Sequence, residues 1–172
     1  MSGFLIYEST DLLIYEKETM GAHAQPIVIL LADDDEEDRM LSSDALAESR
    51  VVNELRFVED GEELLDYLYH RGKYANGETS PTPGLILLDL NMPGLDGRKT
   101  LEIIKRSPSL KKIPVVVLTT SDDERDIKAC YELGANTYVQ KPVDFDGLIA
   151  AVKRLKEYWF EIALLPKEPS HD

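Results

Sequence analysis

Cysteine is nearly absent: Cys130 stands alone, so no internal disulfide can form, and a reducing compartment fits that composition. Basic residues are few beside acidic ones, 19 against 33, for a formal net charge of −14. A surface of that sign repels phosphate backbones, which argues against direct DNA or RNA binding. No apolar run approaches the length of a membrane span. Two short apolar runs, Phe4 to Tyr7 and Leu12 to Tyr15, are split by acidic and polar residues and follow no basic region, so a secretory signal is not expected. These absences together predict a cytoplasmic protein. Histidine and cysteine nowhere fall at metal-ligand spacing around the acidic motifs described below, which disfavours zinc.

The 172 residues, 43% of them apolar, suffice for one core with extensions. Residues 1–25 show no regular pattern and read as an N-terminal extension, with its apolar runs free to pair as a hairpin or to pack on a partner. From Pro26 a regular rhythm begins. Ile27 to Ala32 is a continuous apolar run, the mark of a buried parallel strand. An acidic stretch from Asp33 to Asp38 leads into a helix reaching about Ser49. Leu55 to Val58 predicts a second strand, and Asp60 with Glu63 a capping box for the next helix. Gly72 to Gly84 reads as a loop. Further strands follow at Leu85 to Leu88, Val115 to Leu118 and Tyr138 to Gln140. Helices are expected from about Arg98 to Arg106, from a Ser121 or Asp122 cap to about Gly134, and from Asp144 or Phe145 onward. Strands alternating with helices imply an α/β fold: a five-stranded parallel sheet, doubly wound, with functional residues beyond the strands' carboxyl ends.

The residues at those ends carry the chemistry. Strand one runs into Asp33 and Asp34, strand three into Asp89, strand four into Thr119 and strand five into Lys141. Each alone has an ordinary explanation. A strand-end Asp caps or turns, a Lys is usually solvated, and an acidic run such as Asp33 to Asp38 is usually a helix start favoured by the dipole. Their recurrence at four strand ends is what argues for a site. Clustered carboxylates repel one another and need a cation, and oxygen-only ligands select a hard one, Mg2+. A metal-bound Asp89 can act as a nucleophile toward phosphorus. Lys141 and the Thr119 hydroxyl can then face the phosphoryl oxygens.

The segments Leu30-Leu31-Ala32-Asp33-Asp34-Asp35, Leu87-Leu88-Asp89-Leu90-Asn91-Met92-Pro93-Gly94-Leu95-Asp96-Gly97, Val117-Leu118-Thr119-Thr120-Ser121 and Tyr138-Val139-Gln140-Lys141-Pro142 resemble receiver domains of two-component response regulators over residues 26–158. The resemblance implies the flavodoxin-like receiver fold and a phosphoryl group accepted on Asp89 from a histidine kinase. It further implies Asp33 and Asp34 as the acidic pair, the Asn91 backbone carbonyl as a metal ligand, and Thr119 and Lys141 as phosphoryl contacts. Tyr138 becomes the aromatic switch beside Thr119, and Lys141-Pro142 a cis peptide. Such a protein is no conventional enzyme, although it assists its own phosphorylation and dephosphorylation. A narrower resemblance, through Lys73-Tyr74-Ala75-Asn76, Ile113 to Ser121, Leu133 to Tyr138 and Tyr158-Trp159 to Leu165-Pro166, is to single-domain regulators paired with phytochrome-type histidine kinases.

Other functions fit less well. A flavodoxin-type cofactor binder needs a Ser/Thr/Gly loop after strand one, where this chain is acidic. An Asp-nucleophile phosphatase commonly has a second Asp two residues on, where this chain has Asn91. A pure interaction adaptor has no need of the acidic cluster. After Trp159 only 13 residues remain, so no output module is expected downstream. Residues 159–172 read instead as a C-terminal arm. Leu148, Val152, Leu155, Trp159 and Ile162 form one helical stripe that runs beyond the domain. With Phe160 and Leu165, the later members Leu155, Trp159 and Ile162 predict an exposed apolar patch and a homodimer built on it, the alternative being a tail that folds back onto its own domain.

Overall fold

The computed structural model describes residues 27–47 and 54–166, with the side chains of residues 45, 46 and 160–162 outside that set. The N-terminal extension and the expected end of the first helix near Ser49 therefore lie outside the described residues. Five strands, β1 (Val28–Ala32), β2 (Glu54–Val58), β3 (Leu85–Leu88), β4 (Val115–Thr119) and β5 (Thr137–Gln140), pair in parallel in the order β2-β1-β3-β4-β5. Five helices alternate with them: α1 (Glu36–Ala47), α2 (Gly61–Leu68), α3 (Gly97–Arg106), α4 (Glu124–Glu132) and α5 (Phe145–Lys156).

Strand alternation divides the core in two. Leu30, Ala32, Ile86, Leu88, Val115 and Val117 face one side, where they meet Leu64 and Leu68 of α2, Leu101 and Ile104 of α3 and Cys130 of α4. Ile29, Leu31, Leu85, Leu87, Val116 and Leu118 face the other, against Leu148 and Val152 of α5 with Leu41 of α1 alongside. The three central strands are buried on both faces, which is why they read as unbroken apolar runs. The edge strands β2 and β5 are only partly buried. Strand order reverses between β1 and β3, so the crevice beyond their carboxyl ends is the place for a site.

Local signals hold with two differences. Asp60 caps α2, its carboxylate accepting from Glu63 N–H at 2.8 Å, while Glu63 returns to Glu59 N–H at 2.7 Å. The cap of α4 is Asp123, which accepts from Arg125 N–H at 2.8 Å, and neither Ser121 nor Asp122. Ser121 is otherwise engaged, its hydroxyl donating to Asp126 at 2.7 Å. Gly72–Tyr74, inside the expected loop, closes a short 3-10 turn.

The tail departs from expectation. Trp159 is only 8% exposed and packs into the α5-side core, with Leu155 and Leu165 partly buried around it. The chain after α5 widens to i→i+5 bonding, Ala163 N–H donating to the Tyr158 carbonyl at 2.8 Å. The indole stays on the face of Leu148 and Val152, and that face is covered by its own sheet as far as the stripe's fourth member. Its Nε1–H has no acceptor among the described residues, a cost set against the large apolar area an indole buries. The side chains of Phe160 and Ile162 lie outside the described set. Trp159→Ala should therefore lower the unfolding free energy by roughly 3 kcal/mol in urea titration; a change under about 1 kcal/mol would mean that the indole is not a core residue.

Candidate functional site

β1, β3 and β5 deliver the charged groups to one edge. β1 ends at Ala32, and the next residue, Asp33, is held through its N–H to the Val58 carbonyl at 3.1 Å. Its Oδ1 accepts from Asp35 N–H at 2.9 Å, and its own carbonyl accepts from Arg39 at 2.8 Å. Asp89 follows β3, tied by its N–H to the Ala32 carbonyl at 2.9 Å, while its Oδ1 accepts from Asn91 N–H at 3.0 Å. Backbone bonds thus aim both carboxylates before any ligand arrives. Gly97 keeps the floor of the loop close: a Cβ there would lie 2.3 Å from the Asp89 carbonyl oxygen.

Carboxylate oxygens of Asp33, Asp34 and Asp89 all lie within 4.8 Å of one another, with Asp33 and Asp89 buried and Asp34 exposed. This hard-oxygen set fits a divalent cation and offers a softer metal no nitrogen or sulfur. Asn91 is exposed and stands two residues past Asp89, and its side-chain amide reaches toward the Thr119 hydroxyl at 3.4 Å and that of Thr120 at 3.5 Å.

Lys141 enters from the end of β5, its N–H donating to the Thr119 carbonyl at 2.6 Å. Its side chain is 5% exposed, and the ammonium donates to Asp33 at 2.6 Å, Asp38 at 2.7 Å and Asp89 at 3.2 Å. Burial acts to lower the affinity of this ammonium for its proton. The hydrogen bonds to Asp33 and Asp38 and the Asp89 charge outweigh it and hold Lys141 above the usual lysine range. Burial in turn pushes the Asp33 carboxyl up, only partly offset by Lys141.

Thr119, fully buried, closes β4 beside this group. Tyr138 on β5 is half-buried and donates its hydroxyl proton to the Ser121 carbonyl at 2.8 Å. Ser121 also binds Asp126, which Arg98 of α3 grips twice, at 2.8 and 2.6 Å. A chain of bonds therefore runs from α3 through the β4–α4 loop to β5. The structure brings Asp33, Asp34, Asp89, Thr119 and Lys141 to one edge, with Tyr138 nearby.

Two features escaped sequence reasoning. Asp38 reads as one more acid of a solvated helix start, yet it turns back to Lys141 from the first turn of α1. Arg98 and Asp126 stand 28 residues apart, and no local spacing couples them. The Lys141–Pro142 peptide, expected cis, is trans, since no peptide bond among the described residues is cis. Trans is the intrinsically favoured isomer of an X–Pro bond, by about 0.5–1 kcal/mol.

A doubly wound sheet with this acidic edge defines a phosphorelay signalling domain, and residues 29–153 match the family described as response regulator receiver domain. The chain belongs to that family, whose members work with histidine kinases in two-component signalling. Response regulator Rcp1 of Synechocystis sp. is 44% identical over 141 residues, covering 82% of this chain and 94% of its own length. The crystal structure of the Mn(2+)-bound form of Rcp1 superposes with a TM-score of 0.78, over 83% of this chain and all of that one, at 44% identity. That of the phosphorylated cyanobacterial phytochrome response regulator RcpA superposes with a TM-score of 0.79, with the same coverage and identity.

The three carboxylates facing one buried ammonium make a stability prediction. Lys141→Ala leaves them uncompensated and should cost about 3 kcal/mol in chelator, since breaking a buried pair strands its charges. Millimolar Mg2+ should restore part of the loss by supplying positive charge to Asp33 and Asp89, two of the three acids that Lys141 holds. A thermal melt shifted equally with and without Mg2+ would show that Lys141 and the cation do not share these carboxylates.

Proposed function

We propose that Asp89 is the phosphoacceptor of this receiver and that Mg2+ is its working cation. The observation that carries the reading is a buried carboxylate 3.2 Å from a buried ammonium, beside two further acids and a buried hydroxyl. Asp33, Asp34 and Asp89, with the Asn91 backbone carbonyl, would hold Mg2+, which when bound offsets charge on the phosphoryl oxygens. An Asp89 carboxylate oxygen attacks phosphorus, the P–N bond of the kinase phosphohistidine breaks, and the electron pair leaves on the imidazole. Lys141 exchanges its bond to Asp89 for one to a phosphoryl oxygen. The Thr119 hydroxyl donates to another, which draws Thr119 toward the site and changes the space available to Tyr138. The same residues assist transfer and loss of the group, and this is the extent of the chain's catalysis.

We infer that the kinase partner is of the phytochrome type and that this chain works in the cytoplasm. Support comes from the 44% identity to Rcp1 and the likeness to a phytochrome response regulator. Among the described residues no helix is long and apolar enough to cross a membrane. Asp89→Asn should abolish labelling by a phosphorylated histidine kinase and by acetyl phosphate, read as intact mass. Undiminished labelling of that variant would move the phosphoacceptor elsewhere.

Self-association is a second reading, on a smaller surface than the stripe implied. With Trp159 turned inward, the apolar surface left by the tail centres on Leu164, 98% exposed, and Tyr158, 52% exposed. A two-fold pairing would cover both. Sedimentation should give a dimer at tens of micromolar that Leu164→Glu weakens at least tenfold; a monomer in the unmodified protein would end the reading.

A further inference from the structure

Asp38 belongs to no motif that defines the site, yet it makes one of its shortest contacts. Asp35 accepts from the N–H groups of Glu37 at 2.9 Å and Asp38 at 3.1 Å, which starts α1 so that Asp38 falls in its first turn, facing back toward β5. The Asp38 carboxylate meets the Lys141 ammonium at 2.7 Å while remaining 28% exposed. An ammonium has three N–H donors. Asp33, Asp38 and Asp89 take all three, so Lys141 has none to spare for a phosphoryl oxygen.

The three acids differ in what else they can do. Asp33 and Asp89 lie in the cluster that suits a divalent cation, and Asp38 does not. A cation there draws charge from Asp33 and Asp89 and leaves Asp38 as the one carboxylate bound to Lys141 alone. We propose that Asp38 is a positioning residue for phosphoryl transfer: it tethers Lys141 and opposes its movement onto the phosphoryl group, setting how readily Asp89 is charged. This rests on the phosphoacceptor reading of Asp89. Two effects act together. The tether competes with the phosphoryl oxygens for an N–H, and its negative charge repels the incoming anion across a partly solvated gap.

Neutralising Asp38 should therefore move anion and cation in opposite directions. In Asp38→Asn, Lys141 loses its tether and pairs more closely with Asp33 and Asp89. Mg2+ affinity, measured by calorimetry without any phosphodonor, should fall about threefold to tenfold, the range for one partly solvated unit charge. At saturating Mg2+, the rate at which acetyl phosphate passes its phosphoryl to an Asp89 oxygen and releases acetate should rise by a similar factor. Affinity for beryllium fluoride should rise with it. Asp38→Glu, which keeps the charge, should return both quantities toward those of the unmodified protein. A merely structural role would lower Mg2+ affinity and labelling together, and that result, or no change in labelling, overturns the proposal. No labelling of the unmodified protein at Asp89 would overturn the phosphoacceptor reading itself, and this one with it.

Discussion

Carboxylates crowded beyond the end of a sheet repel one another, and Lys141 supplies a positive charge that offsets Asp33, Asp38 and Asp89. Its ammonium sits 2.6 Å from Asp33 and 3.2 Å from Asp89, two buried carboxylates whose charges are screened less than they would be in water. Everything around it serves that contact. β1 and β3 lie side by side because the order of the sheet reverses there, which brings Asp33 and Asp89 together. β4 carries Thr119, whose carbonyl accepts from the Lys141 N–H and so fixes where the lysine leaves β5. The central strands are apolar on both faces, so the charged groups can gather only at their ends.

The same arrangement explains why a receiver is responsive and not merely stable. A buried ion pair contributes little net stability compared with well-packed apolar groups. It does give the site a cation that can change partners when a new anion appears. The bonds from Arg98 through Asp126 and Ser121 to Tyr138 then provide a contiguous route from the edge of the sheet to the helices that flank it. Three carboxylate partners on one buried ammonium, and a bonded network that ties α3, α4 and β5 together, are what the structure supplies for a switch.

Much of this was legible in the sequence because it is periodic or terminal. Unbroken runs such as Leu85 to Leu88 mark strands buried on both faces, and the polar residue that ends each run marks the site. Asp60 and Glu63 announced their helix because capping is a local transaction between a carboxylate and an N–H three residues on. What was not legible depends on distance or on backbone detail. Asp38 meets Lys141 across 103 residues, and Arg98 meets Asp126 across 28. The stripe through Leu155, Trp159 and Ile162 assumes 3.6 residues per turn. Spacing shows that Trp159 shares a face with Leu148 and Val152, but not that the domain reaches far enough to cover it, as it does. Ser121 was a sound capping candidate by type, but Asp126 engages its hydroxyl and Asp123 caps instead.

The position of β5 has a consequence for how the site comes apart. The acids are anchored on β1 and β3, inside the sheet, whereas the lysine hangs from an edge strand with one neighbour. Edge strands exchange their amide hydrogens through local openings that cost less than global unfolding. An opening of β5 carries the ammonium away from carboxylates still tied to their own strands, so the opened form is strongly anionic and is favoured by any cation that replaces the lysine. Amide exchange along Thr137–Gln140 is thus a clock for the exposure of that form.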